Sequence, residues 1–327
     1  MKVLVTGGTG FIGSHLIERL LAKGETVRVI AKDCYSICPT SLNNLDVIIQ
    51  DINQEADWES ILSEIDMVYH LAGITRAQRS KDYYYGNYEA TKRLVALCQM
   101  HCQHLSRFVY VSSLSATGPC RNGSSLDENT ECHPVSDYGR SKMLAEKAVM
   151  GAADSLPVVI VRPSAVYGPR DRDMYEYFKL ILLGIHPVIG FQKKYLNLIH
   201  VNDLVEGILL AGEKKSAINE VFFLGSEKPY TNEEIGMAIA KAACASARCL
   251  HIPHSFIYLL GFLLQSAGMI SKRPIFFNIQ KAREAVQTAW NCSIEKAENI
   301  LGFEPKISLA DGMFQTYRWY KENHWLI

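Results

Sequence analysis

The sequence predicts an α/β protein: a doubly wound parallel sheet joined to a smaller, mainly helical C-terminal lobe. Three observations lead there. Apolar strand patterns alternate with helical patterns up to about residue 170, an order that builds a parallel sheet with helices on both faces. A glycine-rich turn, Thr6-Gly7-Gly8-Thr9-Gly10-Phe11-Ile12-Gly13, separates the first strand pattern from the first helical one. After Gly225 the pattern is mainly helical. The 327 residues suit one large domain plus a smaller lobe. The expected division is discontinuous, with 1–170 and 198–225 in the sheet domain and 171–197 and 226–327 in the lobe.

Val3, Leu4 and Val5 form a short apolar run that reads as a buried strand. Ile12, Leu16 and Leu20 then recur at helical spacing between Phe11 and Ala22. Gly7, Gly10 and Gly13 therefore lie on a strand–turn–helix, the context in which a GxxGxxG pattern marks a dinucleotide cradle of the Rossmann type. Gly7 permits a tight turn with positive φ. Gly10 lacks a Cβ, which lets a pyrophosphate approach the backbone, and Gly13 lets helix and strand pack closely. The free N–H groups and the positive end of the helix dipole then face the phosphates.

The second strand, Thr26 to Ile30, is expected to end beside the adenosine ribose. An acidic residue there would favour NAD, but the chain places Ala31, Lys32 and Asp33 in succession. Ala31 accepts no hydrogen bond. Lys32 either faces a 2′-phosphate, which favours NADP over NAD, or is a solvated surface lysine. Asp33 reaches the ribose if the strand runs further. Asp51 follows a third apolar run, Val47 to Ile49, and is placed to bond the adenine edge. Val68 to Gly73 reads as a fourth strand running into a small-residue turn beneath the cofactor. His70 in this strand has no partner at ligand spacing and reads as a packed structural histidine.

Phe108 to Val111 is a fifth strand with Ser112 and Ser113 at its end, and ligand sites of open parallel sheets lie beyond the strands' carboxyl ends. Tyr138 and Lys142 are four apart on a predicted helix and share a face. Pro134 bounds that helix upstream, with Ser136 or Asp137 as its cap. A free phenol has a pKa of about 10. A neighbouring ammonium and a positive nicotinamide ring favour the phenolate and lower that value. Tyr138 can then exchange a proton with a substrate hydroxyl while hydride moves. Ser113 would hold the same oxygen, and Lys142 would also bond the nicotinamide ribose.

These residues resemble those of the extended short-chain dehydrogenases/reductases, the NAD(P)-dependent epimerase/dehydratase family. That branch includes nucleotide-sugar epimerases and dehydratases, dihydroflavonol reductases and 3β-hydroxysteroid dehydrogenases. The resemblance runs nearly end to end: TGGTGFIG (6–13), HLAG (70–73), Asn87 in GNYEAT, VSS (111–113), YGRSK (138–142), RPSAVYGPR (162–170), IHVNDL (199–204) and LGFEPKISLADG (301–312). It implies a catalytic triad of Ser113, Tyr138 and Lys142. It places Asn87 in the helix beneath the site and brings Pro163 backbone close to the nicotinamide. The cofactor site expected on this basis comprises Gly7, Thr9, Gly10, Phe11, Ile12, Lys32, Asp51, Ile52, Leu71, Ala72, Gly73, Asn87, Tyr138, Lys142, Pro163 and Val166. The resemblance also implies pairing of two copies through helices over about 82–103 and 138–152.

Thirty-four basic residues balance 34 acidic ones, so no net field favours nucleic acid. Nine cysteines include no CxxC pair; Cys34/Cys38 and Cys98/Cys102 are four apart without histidine partners, and the pattern reads as reduced thiols with no metal site. The first strand begins at Lys2, which leaves no room for a signal peptide and points to a cytoplasmic protein.

Three features bear on the substrate. In the UDP-sugar epimerases of this branch an arginine ahead of the segment matching Ile199-His200-Val201 grips the nucleotide phosphates. That alignment puts Leu196 in its place, with Lys193 and Lys194 shifted and Arg283 as a second, poorly fitting arginine position. Lysine does not replace a bidentate arginine clamp. Ser255 to Ile270 carries no charge and is too short to span a bilayer. It reads as a buried lobe helix, as an apolar wall or lid over a hydrophobic substrate, or as a membrane-surface contact edged by Lys272 and Arg273. Arg76, Arg79 and Lys81 follow the HLAG turn, where they hold an anionic group or serve only as solvated charges. The expected reaction is hydride transfer between nicotinamide and a secondary alcohol or ketone of an apolar small molecule, with Arg76, Ser113 and Arg283 as candidate substrate contacts. Nucleotide-sugar 4-epimerisation or dehydration with tightly held NAD is the alternative, although Leu114 stands where a dehydratase would need a carboxylate. A catalytically inactive nucleotide-binding protein is the third reading.

Overall fold

The computed structural model describes residues 1–32, 44–120, 125–271 and 277–326. Its centre is a seven-stranded sheet built from β1 (Lys2–Thr6), β2 (Thr26–Ala31), β3 (Leu45–Ile49), β4 (Met67–His70), β5 (Arg107–Val111), β6 (Val158–Pro163) and a last strand, Glu220–Leu224. The spatial order is Glu220–Leu224, β6, β5, β4, β1, β2, β3, and every pairing is parallel. The chain starts at β1 and winds outward first one way and then the other. The strand order therefore reverses beside β1, between it and β4, and the crevice that ligands use in such sheets opens at that point.

Parallel strands covered on both faces read as unbroken apolar runs. β1, β4, β5 and β6 are buried along nearly their whole length. One face packs against helix α1 (Phe11–Ala22) and helix Val201–Glu213 through Val3, Val5, Leu16, Leu20, Ile208 and Phe222. The other carries Leu4, Val68, Phe108 and Ile160 against helices Trp58–Leu62, Ala90–His101 and Asp137–Met150. Removing a side chain such as Leu16 or Leu20 from water contributes about 1.5–3 kcal/mol.

Three further sheets are small. Ala165–Tyr167 pairs with Leu198–His200. Ile185–Ile189 pairs with Arg248–Ile252, and Tyr195–Leu196 lies between Tyr230–Thr231 and Ala289–Trp290. A separate core of Tyr167, Phe178, Ile235, Ile239, Met313 and Tyr320 unites helices Arg172–Leu182, Asn232–Ala242 and Leu309–Glu322.

Two readings are sharpened. Of the stretch 198–225 expected in the sheet domain, Glu220–Leu224 joins the main sheet, but Ile199-His200-Val201 does not. Leu198–His200 forms a strand with Ala165–Tyr167, and the chain turns into helix Val201–Glu213 with His200 as its cap, the ring accepting from Asn202 N–H at 3.3 Å. The apolar alternation of Ile199 and Val201 bridges a strand end and a helix start, which periodicity alone does not separate. The uncharged segment forms helix His254–Ser271, but it is not a core helix. Ile257 is buried and Gly261 packs against Asn278 and Ala282. Phe256, Leu259, Phe262 and Leu263 are each more than half exposed. Lys272 and Arg273 lie outside the described residues. Among the described residues, no helix is long and apolar enough to cross a membrane.

Candidate functional site

The glycine turn is built as its spacing implies. Gly7 has φ +73°, and a Cβ there would lie 2.6 Å from Ala72 N. A Cβ on Gly13 would come within 2.2 Å of Gly7 O, so α1 meets the turn with no room for a side chain. A Cβ on Gly10 would meet only Gly7 O, at 3.1 Å, and Gly10 is exposed. Gly10 is the N-cap of α1; no side chain caps the helix, and no acidic residue occupies its first turn. The helix N-terminus thus keeps its donors for an anion, and the opening above Gly10 admits one. These features fit a dinucleotide's pyrophosphate.

The other expected cofactor residues differ in exposure. Thr9, Phe11, Ile12, Leu71, Ala72 and Val166 are half-buried, Gly73 is exposed, and Ile52 and Pro163 are buried. Asn87 lies in a π-helical turn, Tyr84–Glu89, and is wholly buried. Its Oδ1 accepts from Ile74 N–H at 2.6 Å, while Nδ2 donates to Ile74 O (3.1 Å) and to Ser141 Oγ (2.8 Å). Asn87 therefore ties the turn after β4 to the helix that carries Tyr138. His70 is a packed histidine between two hydroxyls, with Nδ1 2.6 Å from Thr6 Oγ1 and Nε2 2.8 Å from Thr91 Oγ1. Burial drives its pKa down to about 3, with Lys142 adding to the effect.

At the adenosine end β2 stops at Ala31, and Asp33 lies outside the described residues. Lys32 and Asp51, expected to serve different parts of the nucleotide, pair with each other at 3.0 Å. Asp51 also accepts from Asn53 N–H at 2.9 Å. Burial pushes the Asp51 carboxyl up, but these hydrogen bonds and the lysine outweigh it and hold the carboxyl below its ordinary range.

The reaction end gathers Ser113, Tyr138 and Lys142. Ser113 ends the strand connection after β5 and caps the short helix Leu114–Thr117, its Oγ accepting from Ser115 N–H at 3.1 Å. Ser136, not Asp137, caps helix Asp137–Met150, accepting from Gly139 N–H at 3.0 Å. Lys142 is buried. Its ammonium donates to Val111 O at 2.7 Å and lies 4.3 Å from the Tyr110 ring centre. Burial brings its pKa down to about 7, against the pull of Glu146 one turn on.

Tyr138 departs from the expectation of a lowered pKa. Burial raises it above the ordinary phenol value, and the counteracting groups are Lys281 first and then the Ser113 hydroxyl. Lys281 Nζ lies 5.6 Å from the centre of the Tyr138 ring. The sequence reading passed over Lys281. Its signal is weak, one lysine in a short polar helix far along the chain, and only the folded lobe brings it to the tyrosine.

The candidate substrate residues are placed differently from one another. The Ser113 hydroxyl lies against Tyr138. Arg76 pairs with Asp173 at the start of helix Arg172–Leu182, and Arg79 pairs with Asp82 at 3.2 Å. Arg283 is exposed; its helix neighbours Gln280, Lys281 and Glu284 are the ones that meet the Tyr138 helix. Leu196 occupies a strand, and Lys194 donates to Ala285 O at 2.7 Å. Among the described residues no group of three or more His, Cys, Asp or Glu side chains could hold a metal ion. The cysteines there, Cys98 and Cys102 among them, are free thiols, and Cys34 and Cys38 lie outside the described residues.

The family model for the NAD dependent epimerase/dehydratase family matches residues 3–225. The chain belongs to that family. It is an enzyme of the extended short-chain dehydrogenase/reductase type, a dehydrogenase/reductase or an epimerase, and NAD(P) is the cofactor typical of the family. An uncharacterized UDP-glucose epimerase of Bacillus subtilis is 30% identical over 96% of this chain and 96% of its own length. A ceramide reductase of Caulobacter vibrioides is 28% identical over 99% of this chain and 96% of its own. Among solved structures, the UDP-glucuronic acid 4-epimerase of Bacillus cereus, in complex with UDP-glucuronic acid and NAD, superposes with a TM-score of 0.80 at 25% identity. That match covers 99% of this chain and all of the other.

Proposed function

We propose that this family member is an NAD(P)-dependent reductase or dehydrogenase for a secondary alcohol or ketone on an apolar small molecule. The observation that carries this reading is the residue set on the substrate side. The position of the expected phosphate-gripping arginine holds Leu196, Lys194 is spent on a helix carbonyl, and Arg283 is exposed. The uncharged helix His254–Ser271 meets the loop after β4 that carries Arg76. Gln78, in the loop after β4, donates to Gly268 O at 3.1 Å, and Asn278 Nδ2 donates to Ala77 O at 3.2 Å. Apolar walls with few polar groups suit an apolar ligand. The ceramide reductase relative, alike over nearly its whole length, supports the same substrate class.

A bound nicotinamide cofactor supplies or accepts the hydride. Tyr138 gives the proton to the nascent alkoxide, or takes it in the reverse direction. Ser113 holds the substrate oxygen in line with the phenol. Lys142, its pKa brought down to about 7 by burial, would bond the nicotinamide ribose and, when protonated, favour the phenolate. Gly7, Gly10 and Gly13 seat the pyrophosphate. Lys32 meets a 2′-phosphate by exchanging Asp51 for it, which favours NADP.

Epimerisation of a nucleotide sugar is the second reading, favoured by the Bacillus subtilis relative and by the Bacillus cereus structure. Mass spectrometry of cofactor released from the purified protein separates the two, combined with fluorescence titration of the emptied protein with NADPH and NADH. An empty site that binds NADPH much more tightly supports the reductase. Co-purified NAD that resists exchange overturns it in favour of the epimerase.

A further inference from the structure

The short helix Ile279–Ala285 is docked onto the first turn of the helix that carries Tyr138. Gln280 bonds Asp137 twice, its Nε2 donating to Oδ2 at 2.7 Å and its Oε1 accepting from the backbone N–H at 3.0 Å. Glu284 Oε1 accepts from the Ser136 hydroxyl at 2.6 Å, and Ser136 is itself the cap of that helix. Between these anchors Lys281 Nζ sits 3.0 Å from Glu284 Oε2 and 5.6 Å from the Tyr138 ring centre. The carboxylate thus does two things: it ties the lobe helix to the cap, and it fixes the direction of the lysine.

Lys142, the ammonium of the YxxxK pair, faces elsewhere. It donates to Val111 O and sits over Tyr110. The ammonium beside the Tyr138 ring is thus the one reaching in from the lobe, Lys281. We infer that Lys281 is a positioning residue for the proton-transfer step: a second ammonium, held by Glu284, that favours the charged form of Tyr138.

A cation close to an aromatic ring stabilises a phenolate more than a phenol. Burial works the other way, and Lys281 is the largest of the groups that oppose it at Tyr138. Glu284 keeps Lys281 charged: burial pulls the lysine down, but Glu284, with Tyr138 and Tyr83 adding to it, leaves its pKa above the ordinary lysine value. The titratable groups around Tyr138 are Tyr83, whose ring centre is 6.3 Å away, Tyr110 on β5, Lys142 on the same helix, and Lys281 and Glu284 from the lobe. Glu284 partly offsets the field of Lys281, so the two residues have opposite effects on Tyr138. The inference rests on Tyr138 being the acid/base of the proposed function, but it is independent of which substrate is turned over.

The test is a titration of the Tyr138 phenolate in the full-length protein. The near-ultraviolet phenolate band is followed against pH, and the same titration of Tyr138→Phe is subtracted to isolate one tyrosine. Lys281→Met should raise the Tyr138 midpoint by about one unit, a tenfold loss of phenolate at fixed pH, and Lys281→Arg should restore it. A midpoint unchanged in Lys281→Met with native circular dichroism overturns the inference. If Lys281→Met does not fold, Lys281→Gln decides: a rise of the midpoint supports the second ammonium, and no change or a fall overturns it. Because the titration needs no substrate, a negative result here is distinct from failure of the reductase reading, which the cofactor experiment tests.

Discussion

Arg162 at the end of β6 is a buried cation whose ion-pair partner is Glu146, and removing the charge of that partner gives a sharp test of the structure. Glu146, on the helix of Tyr138 and Lys142, accepts from Arg162 Nε at 3.0 Å and from Nη2 at 2.7 Å. The two side chains are only 7% and 6% exposed. Glu146→Gln keeps the shape but leaves the guanidinium buried without a counter-charge, and Nη1 already has no hydrogen-bond partner among the described residues. Breaking one half of a buried ion pair costs about 3–5 kcal/mol. At about 2.1 cal/mol/K of unfolding entropy per residue, a chain of this length melts with about 0.7 kcal/mol/K. The expected fall in Tm is then about 4–7 °C. Glu146→Leu combined with Arg162→Met replaces the pair by apolar groups and should recover most of that loss. Differential scanning calorimetry of the unaltered protein and the two variants is the assay. A fall below about 1 °C for Glu146→Gln would mean that water reaches the pair and that the burial argument is wrong. A double variant as unstable as the single one would show that the loss comes from packing rather than from the stranded charge.

Other outcomes follow from the same coordinates. Gly13→Ala forces a Cβ to within 2.2 Å of Gly7 O, so NADPH and NADH affinity should fall at least tenfold in a fluorescence titration; near-normal binding would show that the turn can open. Tyr138→Phe should abolish turnover with cofactor affinity nearly unchanged, and surviving activity would remove Tyr138 from proton transfer. Lys32→Ala should weaken NADPH far more than NADH, and equal losses would leave Lys32 as merely the ion-pair partner of Asp51. His70 has a folded pKa of about 3, below its ordinary 6.5. Between these values the unfolded chain binds the extra proton, so the contribution of His70 to stability is complete above about pH 6.5 and is lost as pH falls toward 3. The slope approaches about 1.4 kcal/mol per pH unit. His70→Gln should show a shallower acid limb in denaturant titrations at stepped pH, and an unchanged limb would mean that His70 is not held neutral.

Local chemistry was legible in the chain because it depends on neighbours in sequence. The turn Gly7 to Gly13 needs only a strand before it, a helix after it and glycines where backbone crowds, and the structure builds it so. The strand pattern predicted a parallel sheet because fully buried strands need apolar residues at every position. The helix of Tyr138 and Lys142 was legible for the same reason: its cap, its periodicity and the four-residue spacing all lie within one element. Ile199 to Val201 misled because one apolar alternation serves a strand end and a helix start. His254–Ser271 stayed open between three readings because hydrophobicity says that a helix is apolar and not which side is covered.

Tertiary structure alone decided the electrostatics. Sequence placed Lys142 one helical turn from Tyr138, but a side chain's direction depends on what it finds to bond, and Lys142 finds Val111 O. Lys32 and Asp51, 19 positions apart, became one ion pair because β2 and β3 run side by side. Lys281 reaches Tyr138 across 143 positions because the lobe folds back on the helix cap. Backbone conformation is governed by short-range sterics and periodicity, which a sequence displays directly. The charge state of a buried group depends on distances between segments far apart in the chain and on the water excluded between them, and these exist only once the chain has folded.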